Sequence, residues 1–235
     1  MQSYIKSSKL KSLYASTRAS FLAKNIIETY KELNPDSMAL NTKIFEIGPG
    51  RADLASALIK RIEPEYFICD IDKKVIEFCK KRISENLKFK YVSLFEIALD
   101  ELNINSGNNN LNNLFDIVIS SHVIEHVKSI EEHLVILKKL LKPNGILYIS
   151  SPNTHSLDAK KYGPKWKGYQ DPTHISLHSL QDILKLIDKL NLEIIISGTS
   201  PITIKDYLPF NKSKLFFSKS GLGSSYNLIC QKKDS

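Results

Sequence analysis

The stretch Lys43-Ile44-Phe45-Glu46-Ile47-Gly48-Pro49-Gly50-Arg51-Ala52-Asp53-Leu54 restricts the fold more than any other part of this chain. Ile44, Phe45 and Ile47 form the β-branched and aromatic run of a central strand. Gly48 and Gly50 allow backbone angles that a Cβ forbids and let a ligand come close to the main chain. Leu54, Ala55, Leu58 and Ile59 then recur at helical spacing. A strand, glycine turn and helix in this order point free N–H groups and the positive end of a helix dipole at a bound ligand. Asp70 closes the next apolar run, Tyr66-Phe67-Ile68-Cys69, at the place where a ribose-holding acid stands in a nucleotide site of this kind.

With 235 residues the chain is long enough for one full α/β domain and rather short for two. Hydrophobic residues make up 42% and charged residues 25%, the balance of an ordinary soluble globule. No uninterrupted apolar run approaches the roughly twenty residues of a membrane helix. The N-terminal Met1-Gln2-Ser3-Tyr4-Ile5-Lys6 lacks an apolar signal core, so a cytoplasmic protein is expected. Cys69, Cys79 and Cys230 have no metal-like spacing and read as reduced packing residues. The net charge of +8 is spread along helices and loops, so a nucleic-acid partner is disfavoured.

Taken in order, residues 4–33 keep a helical period through Arg18, Phe21, Leu22, Asn25, Ile26 and Tyr30 until Asn34-Pro35-Asp36 breaks it. Strands are expected at 43–47, 65–70, 89–92, 115–120, 146–150, 192–197 and 226–230. Helices are expected at 51–62, 73–83, 129–141 and 177–190. Residues 103–113 are a polar, Asn-rich low-complexity loop. Residues 151–175, with their prolines, glycines and the only tryptophan, read as a long loop or lid. The alternation of strands and helices predicts an α/β, Rossmann-like, doubly wound and mostly parallel sheet with ligands at the strand C-termini.

Asp53 stands where a dinucleotide-binding G-x-G-x-x-G requires its third glycine. This counts against a pyrophosphate, which needs close helix approach and is repelled by an added carboxylate. Glu46-x-Gly48-x-Gly50-x-Ala52 instead resembles motif I of the class I S-adenosylmethionine (SAM)-dependent methyltransferases. Three further stretches are similar to that family in order and spacing. They are Cys69-Asp70-Ile71-Asp72, Phe115 to Val127, and Leu140-Leu141-Lys142-Pro143-Asn144-Gly145-Ile146-Leu147.

The resemblance implies a seven-stranded sheet with an antiparallel last strand and a helical cap over residues 1–40. It also implies a SAM-binding core over 41–150, a substrate lid over 151–176 and closing helix and strands over 177–235, all within one domain. It places Glu46, Gly48 and Gly50 under the methionine part of SAM and Asp70 on the ribose. Ile71 and Leu94 or Phe95 flank the adenine, Ser120, Ser121 and His122 lie near the sulfonium, and Arg18 is a further cofactor contact. The family often carries an acid after strand three, and Val92-Ser93-Leu94-Phe95 has none.

Ser120-Ser121-His122-Val123 replaces the Asn/Asp-Pro-Pro-aromatic tetrapeptide of base N-methyltransferases, which disfavours nucleobase chemistry. His122, Glu125 and His126 share one face if their segment is helical. They can then act as general base, hold a metal, or pack as a hydrogen-bonded Glu125–His126 pair, and the metal question stays open. Pro152-Asn153, Tyr162-Gly163-Pro164-Lys165-Trp166 and Pro172-Thr173-His174 are similar to a branch linked with glycan biosynthesis. There Trp166 and Tyr162 contact the acceptor and His174 reaches its hydroxyl. Alternatively, Trp166 anchors the lid and His174 caps the following helix. The expected activity is SAM-dependent O-methylation of a small molecule, a nucleotide-linked or glycan sugar first and a quinone or phenol second. An RNA methyltransferase and a non-catalytic SAM-binding module are the remaining alternatives, and the oligomeric state is open.

Overall fold

The five residues Lys43–Ile47 form strand β1, and four of them are buried, as a fully enclosed parallel strand requires. The computed structural model describes residues 9–35, 42–86, 92–96, 99, 111–200 and 218–233. The chain divides into two units, Met1–Leu102 and Asn103–Ser235.

The first unit opens with helix α1 (Lys9–Leu33) and continues through β1, α2 (Asp53–Ile62), β2 (Glu65–Asp70), α3 (Lys73–Asn86) and β3 (Val92–Glu96). β1 pairs in parallel with β2, and β2 in parallel with β3. α1 turns Leu22, Ala23, Ile26, Ile27 and Tyr30 inward and packs against α2. The Arg61 guanidinium ties the two helices by donating to Ser20 Oγ at 2.7 Å. Cations that look dispersed in the sequence gather here, with Lys60, Arg61, Lys81 and Arg82 lining one cleft of about 630 Å³.

The second unit holds β4 (Phe115–Ser121), a 3₁₀ turn over Ile124–His126, α4 (Ile130–Leu140) and β5 (Leu141–Pro152). Short helices α5 (Leu157–Tyr162) and α6 (Lys167–Gln170) follow, then α7 (Leu180–Lys189), β6 (Leu192–Thr199) and β7 (Ser225–Lys232). β4 pairs in parallel with β5, whereas β7 lies antiparallel between β5 and β6. The expected antiparallel last strand is present. Lys142-Pro143-Asn144-Gly145 sits inside β5 as an irregularity, because the register jumps from Phe115 opposite Leu141 to Ile117 opposite Ile146. Asn144 takes the left-handed conformation there, with φ 61°.

One sequence expectation needs correction, and another falls mostly outside the described residues. Of the strand expected at 89–92 only Val92 is described, and from there β3 runs in register with β2, from Tyr66 opposite Val92 to Asp70 opposite Glu96. The stretch 151–175 is not a plain loop. Ser156 starts α5 by accepting the Ala159 N–H, and a 3₁₀ turn at Gly163–Lys165 and then α6 follow. Residues 103–110 of the Asn-rich segment lie outside the described residues. No helix among the described residues is long and apolar enough to cross a membrane.

Candidate functional site

In the first unit the turn after β1 is built from three left-handed residues, Gly48, Gly50 and Ala52, with φ of 63°, 52° and 54°. Gly48 N–H donates to Cys69 O at 2.9 Å, which stitches the turn to the end of β2. Ala52 N–H closes it on Pro49 O at 2.8 Å. The Cys79 thiol approaches Gly50 O at 3.8 Å, so this cysteine supports the turn as well as packing beneath it. A Cβ placed on Gly50 meets nothing within 4 Å. The turn therefore presents an open cradle that a side chain would begin to fill.

The carboxylates around this turn have distinct roles. Asp53 pairs with Arg82 and, at 3.6 Å, with Arg51, so the extra negative charge noted in the sequence is neutralised by its own neighbours. Glu46 is buried and accepts the Tyr66 hydroxyl at 2.8 Å. Burial pushes its carboxyl up to about 7, against the pull of the Tyr66 hydrogen bond and with a push from the Asp53 charge. Its side chain is thus tied to β2 through Tyr66. Asp70 accepts one hydrogen bond among the described residues, from Asp72 N–H at 2.8 Å, and is partly open to solvent. Partial burial raises its carboxyl, with the Asp72 N–H lowering it and the Asp72 charge raising it. A carboxylate so placed suits a vicinal diol such as ribose.

Ile71, beside Asp70, is 75% exposed. Leu94 and Phe95 lie on β3 opposite Ile68 and Cys69. Arg18 lies half-buried on α1. These features together fit an adenosine cofactor bearing no phosphate: a diol acceptor, an exposed apolar flank and a glycine cradle.

In the second unit β4 ends at Ser120 and Ser121, and His122 follows with φ 57°, a left-handed conformation rarely taken by a non-glycine residue. His122 N–H holds that position by donating to Ser150 O at 2.7 Å. The expectation that His122, Glu125 and His126 share a helix face is overturned. The helical turn begins only at Ile124, and the left-handed His122 points its ring back toward Glu125. His122 Nδ1 lies 3.1 Å from Glu125 Oε1, and Ser151 Oγ donates to Glu125 Oε2 at 2.9 Å. Glu125 is therefore paired with His122 and not with His126. Burial alone would raise the Glu125 carboxyl, but the hydrogen bond and charge of His122, backbone bonding and the Ser151 hydroxyl outweigh it and hold it below its ordinary value. Ser120 Oγ meets buried His133 Nε2 at 3.3 Å, a contact that no motif signalled.

The structure brings His126 and His174 together. His126 Nδ1 donates to Thr173 O at 3.0 Å and His174 Nδ1 to Gly168 O at 2.7 Å, with the two ring centroids 4.9 Å apart. Glu125, His126 and His174 each bring one possible metal-ligating atom within 4.8 Å of the others. Both Nδ1 atoms are spent on backbone carbonyls, which leaves the Nε2 of each imidazole as its possible ligand atom. His174 does not cap the next helix, because Ser179 does so through a reciprocal capping box with Asp182. Trp166 is only 6% exposed, packs edge-on against Tyr169 and is backed by Gly168, so its ring anchors the lid from within. Tyr162 is half-exposed.

Comparison with known proteins bears on this geometry. The sequence profile of a family described as a methyltransferase domain matches residues 14–196. The chain is 30% identical over 138 residues to the ubiquinone biosynthesis O-methyltransferase of Pelagibacter ubique, covering 58% of this chain and 52% of that protein. It is 26% identical over 145 residues to the human mitochondrial ubiquinone biosynthesis O-methyltransferase, covering 60% and 37%. The chain thus spans about half or less of the length of these curated relatives. Among solved structures, a SAM-dependent methyltransferase from Aquifex aeolicus superposes with TM-score 0.55 at 12% identity, covering 85% of this chain and 88% of that one. At that identity the likeness speaks for the fold alone.

Proposed function

Because the chain belongs to the methyltransferase-domain family, we propose that it is a SAM-dependent methyltransferase acting on a hydroxyl of a small molecule, with a phenol or hydroquinone as the first acceptor class. The observation that carries this reading is the His122–Glu125 pair. A carboxylate can only accept, so the hydrogen on His122 sits on Nδ1 and the lone pair is left on Nε2. A buried carboxylate behind an imidazole that is about one-third exposed is the arrangement of a general base.

When bound, SAM supplies a methyl group already activated by its sulfonium centre. In this reading Gly48 and Gly50 give the cofactor its close approach, Asp70 holds its ribose, and Ile71 with Leu94 or Phe95 covers its adenine. Arg18 completes its surroundings within the first unit, and Glu46 acts through Tyr66. His122 Nε2 accepts the proton of the acceptor hydroxyl, and Glu125 stabilises the imidazolium that results. Tyr162 and the lid edge meet the acceptor. His126 and His174 hold the lid closed on its own backbone. The names of the two curated relatives favour a phenolic acceptor, and an enclosed Trp166 offers no stacking face to a sugar.

Incubation with methyl-tritiated SAM and panels of catechols, hydroquinones and nucleotide sugars tests this reading. Label is expected in the phenolic products, and label confined to sugars would overturn the acceptor assignment. His122→Ala is expected to lower turnover by about 10²- to 10⁴-fold while SAM affinity by calorimetry stays unchanged. Wild-type turnover in that variant would remove the base.

A further inference from the structure

Glu125 joins several parts of the second unit through both its side chain and its backbone. Its side chain is 1% exposed. A charge so buried persists only where its oxygens are met by donors, and both are: Oε1 by His122 Nδ1 and Oε2 by Ser151 Oγ. Its backbone carbonyl is also fully used, accepting Ile175 N–H at 2.9 Å and Ser176 N–H at 3.0 Å. The residue after it, His126, is held to Thr173 O. The carboxylate is therefore fixed from its own backbone, from β5 and from the lid. His122 is fixed independently by its bond to Ser150 O and its left-handed backbone.

We propose that Glu125 is a positioning residue: it selects the Nδ1–H tautomer of His122 and so leaves the Nε2 lone pair as the base. Glu125 does not touch the acceptor, and acts only through the imidazole. This rests on the reading of His122 as the base, but the tautomer can be measured without any acceptor. The physical reason is donor polarity. A carboxylate has no hydrogen to offer, whereas an amide of the same shape can turn its NH₂ toward Nδ1 and push the hydrogen to Nε2, which silences the base while keeping the fold. Ser151 sharpens the choice, since its hydroxyl donates to Oε2 and leaves Oε1 to His122.

The test is a long-range ¹H–¹⁵N spectrum of the full chain labelled at histidine, with His122 assigned by its loss in His122→Gln. In the wild type the lone-pair nitrogen is expected to be Nε2. In Glu125→Gln it is expected to become Nδ1, with turnover falling by about 10²- to 10⁴-fold on any acceptor the wild type methylates, and with SAM affinity unchanged. Glu125→Asp, which keeps an acceptor-only group, is expected to retain the wild-type tautomer. An unchanged tautomer in Glu125→Gln overturns the proposal even if His122→Ala is inactive. A switched tautomer with a fully active His122→Ala supports the positioning role and removes the base reading instead. If Glu125→Gln does not fold, the wild-type spectrum decides, because hydrogen on Nε2 there overturns the proposal outright.

Discussion

The glycine turn of the first unit and the His122–Glu125 pair of the second are built on opposite principles. The turn is made of backbone: three left-handed residues, two main-chain hydrogen bonds and a space where a Cβ is missing. The pair is made of side chains drawn from a strand end, a 3₁₀ turn and β5, with Glu125 and Ser151 separated by 26 residues. A backbone site constrains residue type locally and tolerates few alternatives. A side-chain site constrains only what meets in space.

The sharpest break in the comparison is expected at Trp166, the anchor of the side-chain region. Trp166→Ala should cost about 3–5 kcal/mol in urea denaturation, because a large enclosed ring leaves a cavity the short helices cannot collapse around. SAM affinity should not change. A cost below about 1 kcal/mol would mean that the ring is a ligand platform and not an anchor.

Glu46 tests the backbone region through pH. Its folded carboxyl stands at about 7 against an ordinary 4.5, so between those values the folded chain holds a proton that the unfolded chain releases. Stability from this group is present below about pH 4.5, falls as pH rises toward 7 and is flat above. The total loss is about 3 kcal/mol at 1.36 kcal/mol per unit. Glu46→Gln, which can still accept from Tyr66, should abolish that slope and be the more stable protein at pH 8. A wild-type curve flat from pH 5 to 7 would show that Glu46 is ionised throughout.

What could be read from the sequence follows the same division. β1, the turn and β2 were legible because glycine spacing and β-branched runs act over a few residues, and 43–47 and 65–70 match the structure. Of the run Phe89-Lys90-Tyr91-Val92 only Val92 is among the described residues, and pairing with β2 carries the strand from there to Glu96. The His122-to-His126 spacing suggested a helix face, but a left-handed histidine carries no sequence mark and redirects the ring by itself. Trp166 and His174 were each open between two roles, since what decides them is Gly168, whose bare Cα admits the indole and whose carbonyl receives the imidazole. Ser179 as the cap of α7 was within reach: Ser179-Leu180-Gln181-Asp182 is a serine with an acid three residues on.

Asp70 probes the cofactor half at the level of a single contact. Asp70→Ala removes a partly buried charged acceptor without a packing role, so stability should change little while SAM binding weakens by about 1.5–3 kcal/mol, roughly 10- to 100-fold in Kd by calorimetry. Asp70→Asn, which keeps one acceptor oxygen, should fall between. Equal affinities in all three proteins would detach the ribose from this residue.

The smallest expected effect separates backbone strain from ligand contact at Gly50. Its φ of 52° costs an alanine about 1 kcal/mol, and the new methyl would clash with nothing, because no heavy atom lies within 4 Å of the added Cβ. Ala52 already takes φ 54° in the same turn with its methyl buried, so the fold demonstrably accommodates an alanine in this conformation. Gly50→Ala should therefore unfold at slightly lower urea, about 1 kcal/mol less stable without SAM. If the open space beside Gly50 is where the cofactor passes, the same methyl should weaken SAM by roughly tenfold or more, a second loss of about 1.4 kcal/mol that the unliganded protein does not show. The two losses are measured separately, by denaturation without ligand and by calorimetry with it. A variant that loses stability but binds SAM as tightly as the wild type would show that the open face of this turn meets water, and the cradle would then have to be sought at Gly48.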